Sequence, residues 1–199
     1  MKTNLNLDIK IILFIIKMRT GELHLILGPM FSGKTTKLIE ISASFQDIAM
    51  INYAGDIRYH PTLLSTHDKK MVPCIQTRVL SSILGHKDII FADAIFINEG
   101  QFFPDIFESV KHLVEQMGKK VFVCGLDGDF LRRPFGDIHR LIPLCDSLVK
   151  LKARCERCSK PALFSHRIIA DREQVVIGSD EYIPLCRDCY VILNRIHKI

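Results

Sequence analysis

No run of apolar residues in this 199-residue chain is long enough to cross a membrane. The nearest candidate, Ile11 to Ile16 within the segment Ile9 to Met18, is shorter even than the core of a usual signal peptide. No small-residue cleavage site follows it. The chain also lacks any block of like charges, any internal repeat and any low-complexity segment. Its histidines show no metal-ligand spacing. These absences argue against a membrane protein, a repeat architecture and a chain that works through a charged tail.

What remains is ordinary for a globular protein, with 48% hydrophobic and 25% charged residues. The length suits one full domain with a small appendage and is sufficient to bury a real core. Residues 1–17 read as an optional extension, with Met18 as an alternative start; the rival reading is an extra edge strand.

Against this plain background one motif stands out. Gly28-Pro29-Met30-Phe31-Ser32-Gly33-Lys34-Thr35 matches the phosphate-binding pattern G-x-x-x-x-G-K-[ST] in full. Two glycines let the backbone curl so that successive N–H groups converge on phosphate oxygens. Lys34 is placed to reach the outer phosphates, and Thr35 offers a hydroxyl to the accompanying Mg²⁺. The flanks fit as well. Glu22 to Leu27 is apolar enough for a buried strand, and Thr35 to Phe45 carries Leu38, Ile39, Ile41 and Phe45 near helical spacing. The net charge of +5 suits a nucleic-acid partner or a protein handling ATP, and does not choose between them.

The pattern then alternates. Strands are expected at Ile48 to Tyr53, Val72 to Thr77, Ala94 to Ile97, Val121 to Leu126 and Leu148 to Leu151. Helices are expected at Val79 to Leu84 and Phe103 to Met117, the latter ending near Gly118. Asp56 to Lys70 shows no clear period. Alternation of this kind predicts an α/β fold with a parallel sheet and crossover helices.

Beyond about Ala153 the composition changes. Cys155-Glu-Arg-Cys158 and Cys186-Arg-Asp-Cys189 form two C-x-x-C pairs, leaving Cys74, Cys124 and Cys145 as core candidates. Four thiolates suit tetrahedral, structural Zn²⁺, with a sizeable loop emerging between the pairs. Disulfides and a redox C-x-x-C are the alternatives. A second chemical site follows the strand ending at Ile97. There, Asn98 stands where an acidic residue usually holds Mg²⁺, and Glu99 is the local carboxylate that can take a proton. The plainer reading of Glu99 is a helix-start carboxylate favoured by the dipole.

Together with Asn98-Glu-Gly-Gln-Phe-Phe-Pro-Asp105 and Leu126-Asp-Gly-Asp-Phe-Leu-Arg-Arg-Pro-Phe-Gly136, these blocks resemble the type II thymidine kinases from about Arg19 to Cys189. Arg58-Tyr59 and Thr66-His67-Asp68 add to the resemblance. It implies a phosphate-loop NTPase-type parallel α/β domain, residues 18–152, followed by a small zinc-ribbon-like lobe with a lasso loop, residues 153–199. It implies a cytoplasmic homotetramer that moves the γ-phosphoryl of Mg-ATP to the 5′-hydroxyl of thymidine, without a nucleic-acid or membrane partner. Glu99 falls at the general base, with Lys34 and Arg58 beside it in the catalytic set. Gly28 to Thr35, Asp56, Arg58, Asn98 and Gln101 fall at ATP-binding positions, with Thr35 and Asn98 toward Mg²⁺. Met30, Phe102, Leu126, Phe130 and Phe135 fall at the nucleoside pocket. Ser165, Val176, Ile177, Gly178 and Tyr182 fall at lasso contacts to the base. Cys155, Cys158, Cys186 and Cys189 fall at the zinc ligands.

Taken alone, the phenylalanines read as core, and Arg132-Arg133 as a solvated face or as charge stabilisers near phosphate. Three features depart from the family pattern: Asn98 in place of Asp, a shorter lasso at Val176 to Tyr182, and the extra charge of Asp129. Two rival functions are a nucleic-acid-binding ATPase that reads through its zinc lobe and a catalytically impaired nucleotide-binding regulator.

Overall fold

A computed structural model of the chain describes residues 21–55, 63–65, 71–171, 173–176, 178 and 180–196. The expected extension at residues 1–17, the segment 66–68 and the candidates Asp56, Arg58 and Ile177 lie outside the described residues.

In chain order the strands are β1 (Glu22–Leu27), β2 (Ile48–Tyr53), β3 (Leu63–Ser65), β4 (Met71–Pro73), β5 (Ile75–Thr77), β6 (Ala94–Ile97), β7 (Lys120–Gly125) and β8 (Ser147–Lys150). Shorter strands follow at β9 (Ala153–Arg154), β10 (Pro161–Ala162), β11 (Phe164–Arg167) and β12 (Tyr182–Leu185). The helices are α1 (Lys34–Ser42), α2 (Lys87–Phe91), α3 (Ile106–Lys111) and α4 (Arg187–Ile196). A six-stranded sheet runs in the order β5-β2-β6-β7-β1-β8, and every pairing in it is parallel.

Each central strand sends alternate side chains to two separate cores, because side chains on a strand alternate faces. On one face, Leu25, Ile51, Ile97 and Val123 pack with Ile106 and Val110 of α3. On the other, Ile26, Met50, Phe96 and Phe122 pack around Leu38 of α1. A third small core, including Ala162, Leu185 and Tyr190, lies in the region carrying the paired cysteines.

Two expected elements differ in detail. The strand expected over Val72–Thr77 is split at Cys74: β4 pairs antiparallel with β3, while β5 joins the main sheet beside β2. Pro73, which has no N–H to continue a ladder, ends β4. The helix expected from Phe103 starts at Ile106 instead. Pro104 biases its predecessor toward extended backbone, and Phe103 sits at φ −80°, ψ 119°. Asp105 then accepts the N–H groups of Leu80 at 3.0 Å and Ser81 at 2.7 Å, capping the 3₁₀ turn Leu80–Ile83. Helix α2 and the 3₁₀ segment Ile138–Leu144 were not expected from periodicity; both are short, and the second contains Pro143.

Phe96 is fully buried and stacks on Phe122 with ring centroids 4.8 Å apart, with Phe45 edge-on at 5.7 Å. Phe96→Ala is expected to destabilise the fold by about 3–5 kcal/mol in denaturant unfolding. Leu148→Ala, on the exposed edge strand β8 and 43% accessible, is expected to change stability by roughly 0.5 kcal/mol or less.

Candidate active site

Strand β1 ends directly at the phosphate-loop motif, and its glycines adopt the backbone the motif requires. Gly28 has φ +155°, and a Cβ there would come within 2.8 Å of the Leu151 carbonyl oxygen. Gly33 has φ +79°, a left-handed position costly for other residues. Lys34 is buried and folds back so that Nζ donates to the Pro29 carbonyl at 2.8 Å. Ser32 donates to the same oxygen at 2.8 Å. The N–H of Met30 donates 2.9 Å to Ser165 Oγ, which arrives from β11.

At the end of β6, Asn98 is 2% exposed. Its Oδ1 accepts from Thr35 Oγ1 at 3.1 Å and from the Cys124 thiol at 3.0 Å. Its Nδ2 donates 2.8 Å to Asn52 Oδ1 on β2. Burial, with the charge of Glu99 adding, pushes the Cys124 thiol up to about 12, so it remains a donor. Two neutral oxygens at Thr35 and Asn98 suit a hard cation that keeps most of its water, as Mg²⁺ does.

The next residue, Glu99, has φ +56°, a left-handed backbone uncommon outside glycine. Gln101 braces it: Nε2 donates 2.6 Å to Glu99 Oε2, while Oε1 accepts the Leu126 N–H at 2.9 Å. Asp105 is committed to the Leu80 turn, leaving Glu99 as the available carboxylate of its segment.

Beside these residues lies a cavity of about 780 Å³ lined by Tyr53, Gln101, Phe102, Phe135, Gln174 and Val175 among others. Phe102 stacks on Tyr53 at 5.1 Å and meets Phe135 edge-on at 5.4 Å. Tyr53, Gln174 and Val175 were missed from sequence, because none belongs to a motif. Phe130 is buried beneath the Arg167 guanidinium, 3.8 Å from its ring centre. Tyr182 is buried with its hydroxyl donating 3.2 Å to the Val176 carbonyl. Met30, Leu126 and Gly178 are half-buried, while Phe31 is 41% exposed.

Cys155, Cys158, Cys186 and Cys189 place their sulfurs within 4.8 Å of one another, and all four are free thiols. That spacing fits four ligands around one tetrahedral Zn²⁺. Burial resists ionisation of Cys155, but N–H groups of Cys186, Arg157 and Cys158 overcome it and draw the thiol down to about 6. Hydrogen bonding to Cys158 and Cys186 pushes Cys189 up to about 12. Sulfurs this close would release their protons on binding a divalent cation, so the cluster is compatible with a metal site.

Asp129 proves to be a structural tie. Its side chain is wholly buried. Oδ1 accepts the N–H groups of Leu131 and Arg133, both at 2.9 Å. Oδ2 accepts Arg133 Nε at 2.7 Å and Gln174 Nε2 at 3.0 Å, joining two loops that flank the cavity. Arg132 stacks over the Tyr190 ring at 4.6 Å, so this arginine pair serves packing rather than a purely solvated face. Burial alone would raise the Asp129 carboxyl, but these donors hold it below the usual 3.8. Stability from this tie is therefore complete above 3.8 and is lost as pH falls through the lower folded value. In Asp129→Asn, the amide nitrogen would face two donors. The variant is expected to lose about 2–4 kcal/mol at neutral pH by urea unfolding. Its deficit against wild type should shrink below pH 3.8; a constant deficit would contradict the role of the charge.

A sequence model of the family described as thymidine kinase matches residues 21–190. The thymidine kinase of Yaba monkey tumor virus is 44% identical over 183 residues, covering 89% of this chain and 98% of that protein. The cytosolic thymidine kinase of Gallus gallus is 40% identical over 175 residues, covering 85% of this chain and 77% of that one. Thymidine kinase a of Arabidopsis thaliana is 41% identical over 187 residues, covering 90% and 79% respectively. With the phosphate loop, the parallel sheet and the four-cysteine cluster in place, the chain belongs to the thymidine kinase family.

Proposed function

We propose that this chain transfers the γ-phosphoryl of ATP to the 5′-hydroxyl of thymidine, with Glu99 as general base. The observation that carries the reading is the meeting of loop 28–35, Asn98 and Glu99 at one edge of the sheet, beside a partly aromatic cavity with ample room for a nucleoside. Within the loop Gly28 to Thr35, the backbone N–H groups from Phe31 onward cradle the ATP phosphates, since Pro29 has none and that of Met30 is held by Ser165. Lys34 leaves the Pro29 carbonyl to reach those phosphates. Thr35 and Asn98 hold Mg²⁺, which when bound spreads the charge of the transferred group. Glu99 accepts the proton of the attacking hydroxyl. Gln101, fixed through Leu126, holds the carboxylate in place. Arg58 and Asp56 belong to the same proposal on the family resemblance.

Phe102, Phe135, Leu126, Met30 and Phe130 form the nucleoside side. Ser165, Val176, Ile177, Gly178 and Tyr182 present the lasso to the base. Backbone groups paired to the polar edge of thymine leave unmatched donors and acceptors against cytosine, which favours strong discrimination. The four cysteines hold a structural Zn²⁺. A cytoplasmic homotetramer without nucleic-acid or membrane partners completes the proposal; among the described residues no helix is long and apolar enough to cross a membrane.

The test is transfer of labelled phosphate from Mg-ATP to thymidine, with deoxycytidine, deoxyguanosine and deoxyadenosine alongside. Selective formation of thymidine monophosphate is expected. Absence of transfer at high Mg²⁺ from zinc-loaded protein would overturn the reading, and stoichiometric ATP binding without turnover would favour a nucleotide-binding regulator. Glu99→Gln keeps the shape and the Gln101 contact, and is expected to lower kcat by about 10²- to 10⁴-fold with little change in either KM. Asn98→Asp restores a negative oxygen beside Thr35. It is expected to lower the Mg²⁺ concentration for half-maximal rate several-fold, read by titrating Mg²⁺ at fixed ATP.

A further inference from the structure

We infer that Arg167 is the positioning residue that fixes the backbone at Asp171, Glu173 and Gln174 and, through Tyr182, at Val176, in the loop that walls the nucleoside pocket. The inference rests on the thymidine kinase reading for its kinetic consequence, while the loop contacts stand by themselves. Arg167 lies at the end of β11 and is 4% exposed. Its Nη1 donates to the carbonyls of Asp171, at 3.2 Å, and Glu173. Its Nη2 donates to the Gln174 carbonyl at 3.1 Å and to the Tyr182 hydroxyl. Its Nε also donates to that hydroxyl, at 3.2 Å. Tyr182 in turn donates to the Val176 carbonyl. Every N–H of the guanidinium is thereby directed at the loop or at the tyrosine that fastens it.

None of these acceptors is a carboxylate. The buried charge is met by carbonyl dipoles and by the face of Phe130, 3.8 Å away, with Tyr182 at 5.1 Å. A planar fork can point at several carbonyls of an irregular loop at once; a lysine ammonium cannot reproduce that pattern. The described residues of the loop also make contacts of their own. Asp171 Oδ1 accepts the Glu173 N–H, Gln174 reaches Asp129, and Ile168 N–H bonds the Glu181 carbonyl. Since Gln174 and Val175 line the cavity, the arginine that fixes their backbone also fixes the cavity wall. Preordering the loop removes an entropy cost that would otherwise fall on nucleoside binding.

The experiment compares zinc-loaded wild type with Arg167→Lys and Tyr182→Phe, the second removing only the hydroxyl. Hydrogen exchange is followed over residues 168–181 in all three, and KM for thymidine, KM for ATP and kcat are measured for wild type and Arg167→Lys. Faster exchange confined to the loop is expected in both variants. Thymidine KM is expected to rise about 10- to 100-fold in Arg167→Lys, with kcat and ATP KM within about threefold; Tyr182→Phe, a change at a proposed base-contact position, is read by exchange alone. Unchanged exchange over 168–181 in both variants would overturn the inference, whatever the activity. Parallel loss of kcat, ATP KM and thymidine KM in Arg167→Lys would also overturn it, as the mark of a general folding role. Failure of wild type to phosphorylate thymidine would instead strike the functional reading, and the exchange data would still decide the role of Arg167.

Discussion

A parallel sheet covered on both faces has one place for polar chemistry, the edge where its strands end. Here both faces are apolar and filled: Ile26, Phe96 and Phe122 on one side, Leu25, Ile97 and Val123 on the other. A polar group among these apolar side chains would need a hydrogen-bond partner that they do not offer. The carboxyl ends of β1, β6 and β7 are adjacent through the order β6-β7-β1, so Gly28, Asn98 and Leu126 emerge side by side. That adjacency brings Thr35 to Asn98 and Gln101 to Leu126 although long stretches of chain separate them. The site is thus a consequence of sheet order before it is a matter of individual residues.

The four-cysteine region reaches into this edge through a few directed contacts. Ser165 accepts the Met30 N–H of the phosphate loop. Tyr190, one residue past Cys189, donates 2.6 Å to the Phe130 carbonyl. The local core around Ala162, Leu185 and Tyr190 is small, and a core of that size gains much of its rigidity from a cross-link such as a metal. Strands β11 and β12, which carry Ser165, Arg167 and Tyr182, pair with each other and lead into Cys186. A staple at the cysteines therefore bears on the placement of residues around the cavity, though it is not part of the reacting centre.

Much of this was legible from sequence because the informative residues stand close together in it. The phosphate loop, Asn98-Glu99 and the paired cysteines each compress a site into a few positions. The buried strands announce themselves as β-rich apolar runs between turn signals. What stayed hidden depends on partners far away in the chain. Asp129 looked like an unexplained charge because its partner Gln174 lies in another loop. Arg167 sits in an unremarkable stretch, and only the folded loop shows how many carbonyls converge on it. Arg132 and Arg133 resemble surface residues until the ring of Tyr190 and the carboxylate of Asp129 are placed beside them. The early end of β4 and the late start of α3 trace to Pro73 and Pro104, local signals outweighed in the reading by apolar periodicity.

Asn98 shows how a change of charge can be absorbed by its surroundings. It is buried beside Thr35, Cys124 and Asn52, each of which is neutral. Its carbonyl oxygen receives two donors and its amide nitrogen has one acceptor, so the uncharged side chain is hydrogen-bonded at both ends. A carboxylate in the same place would turn an acceptor oxygen toward the Asn52 acceptor, requiring that amide to turn over. Turning it would present its oxygen to Gln76 Oε1, which now accepts from Asn52 Nδ2 at 3.4 Å. The row Thr35, Asn98, Asn52 and Gln76 is thus oriented as a unit, each amide setting the direction of the next. With Asn98 neutral, Lys34 and Glu99 bring charges of opposite sign near the Cys124 thiol at this edge. An amide at this position thus keeps the direction of that row without setting a second negative charge next to Glu99.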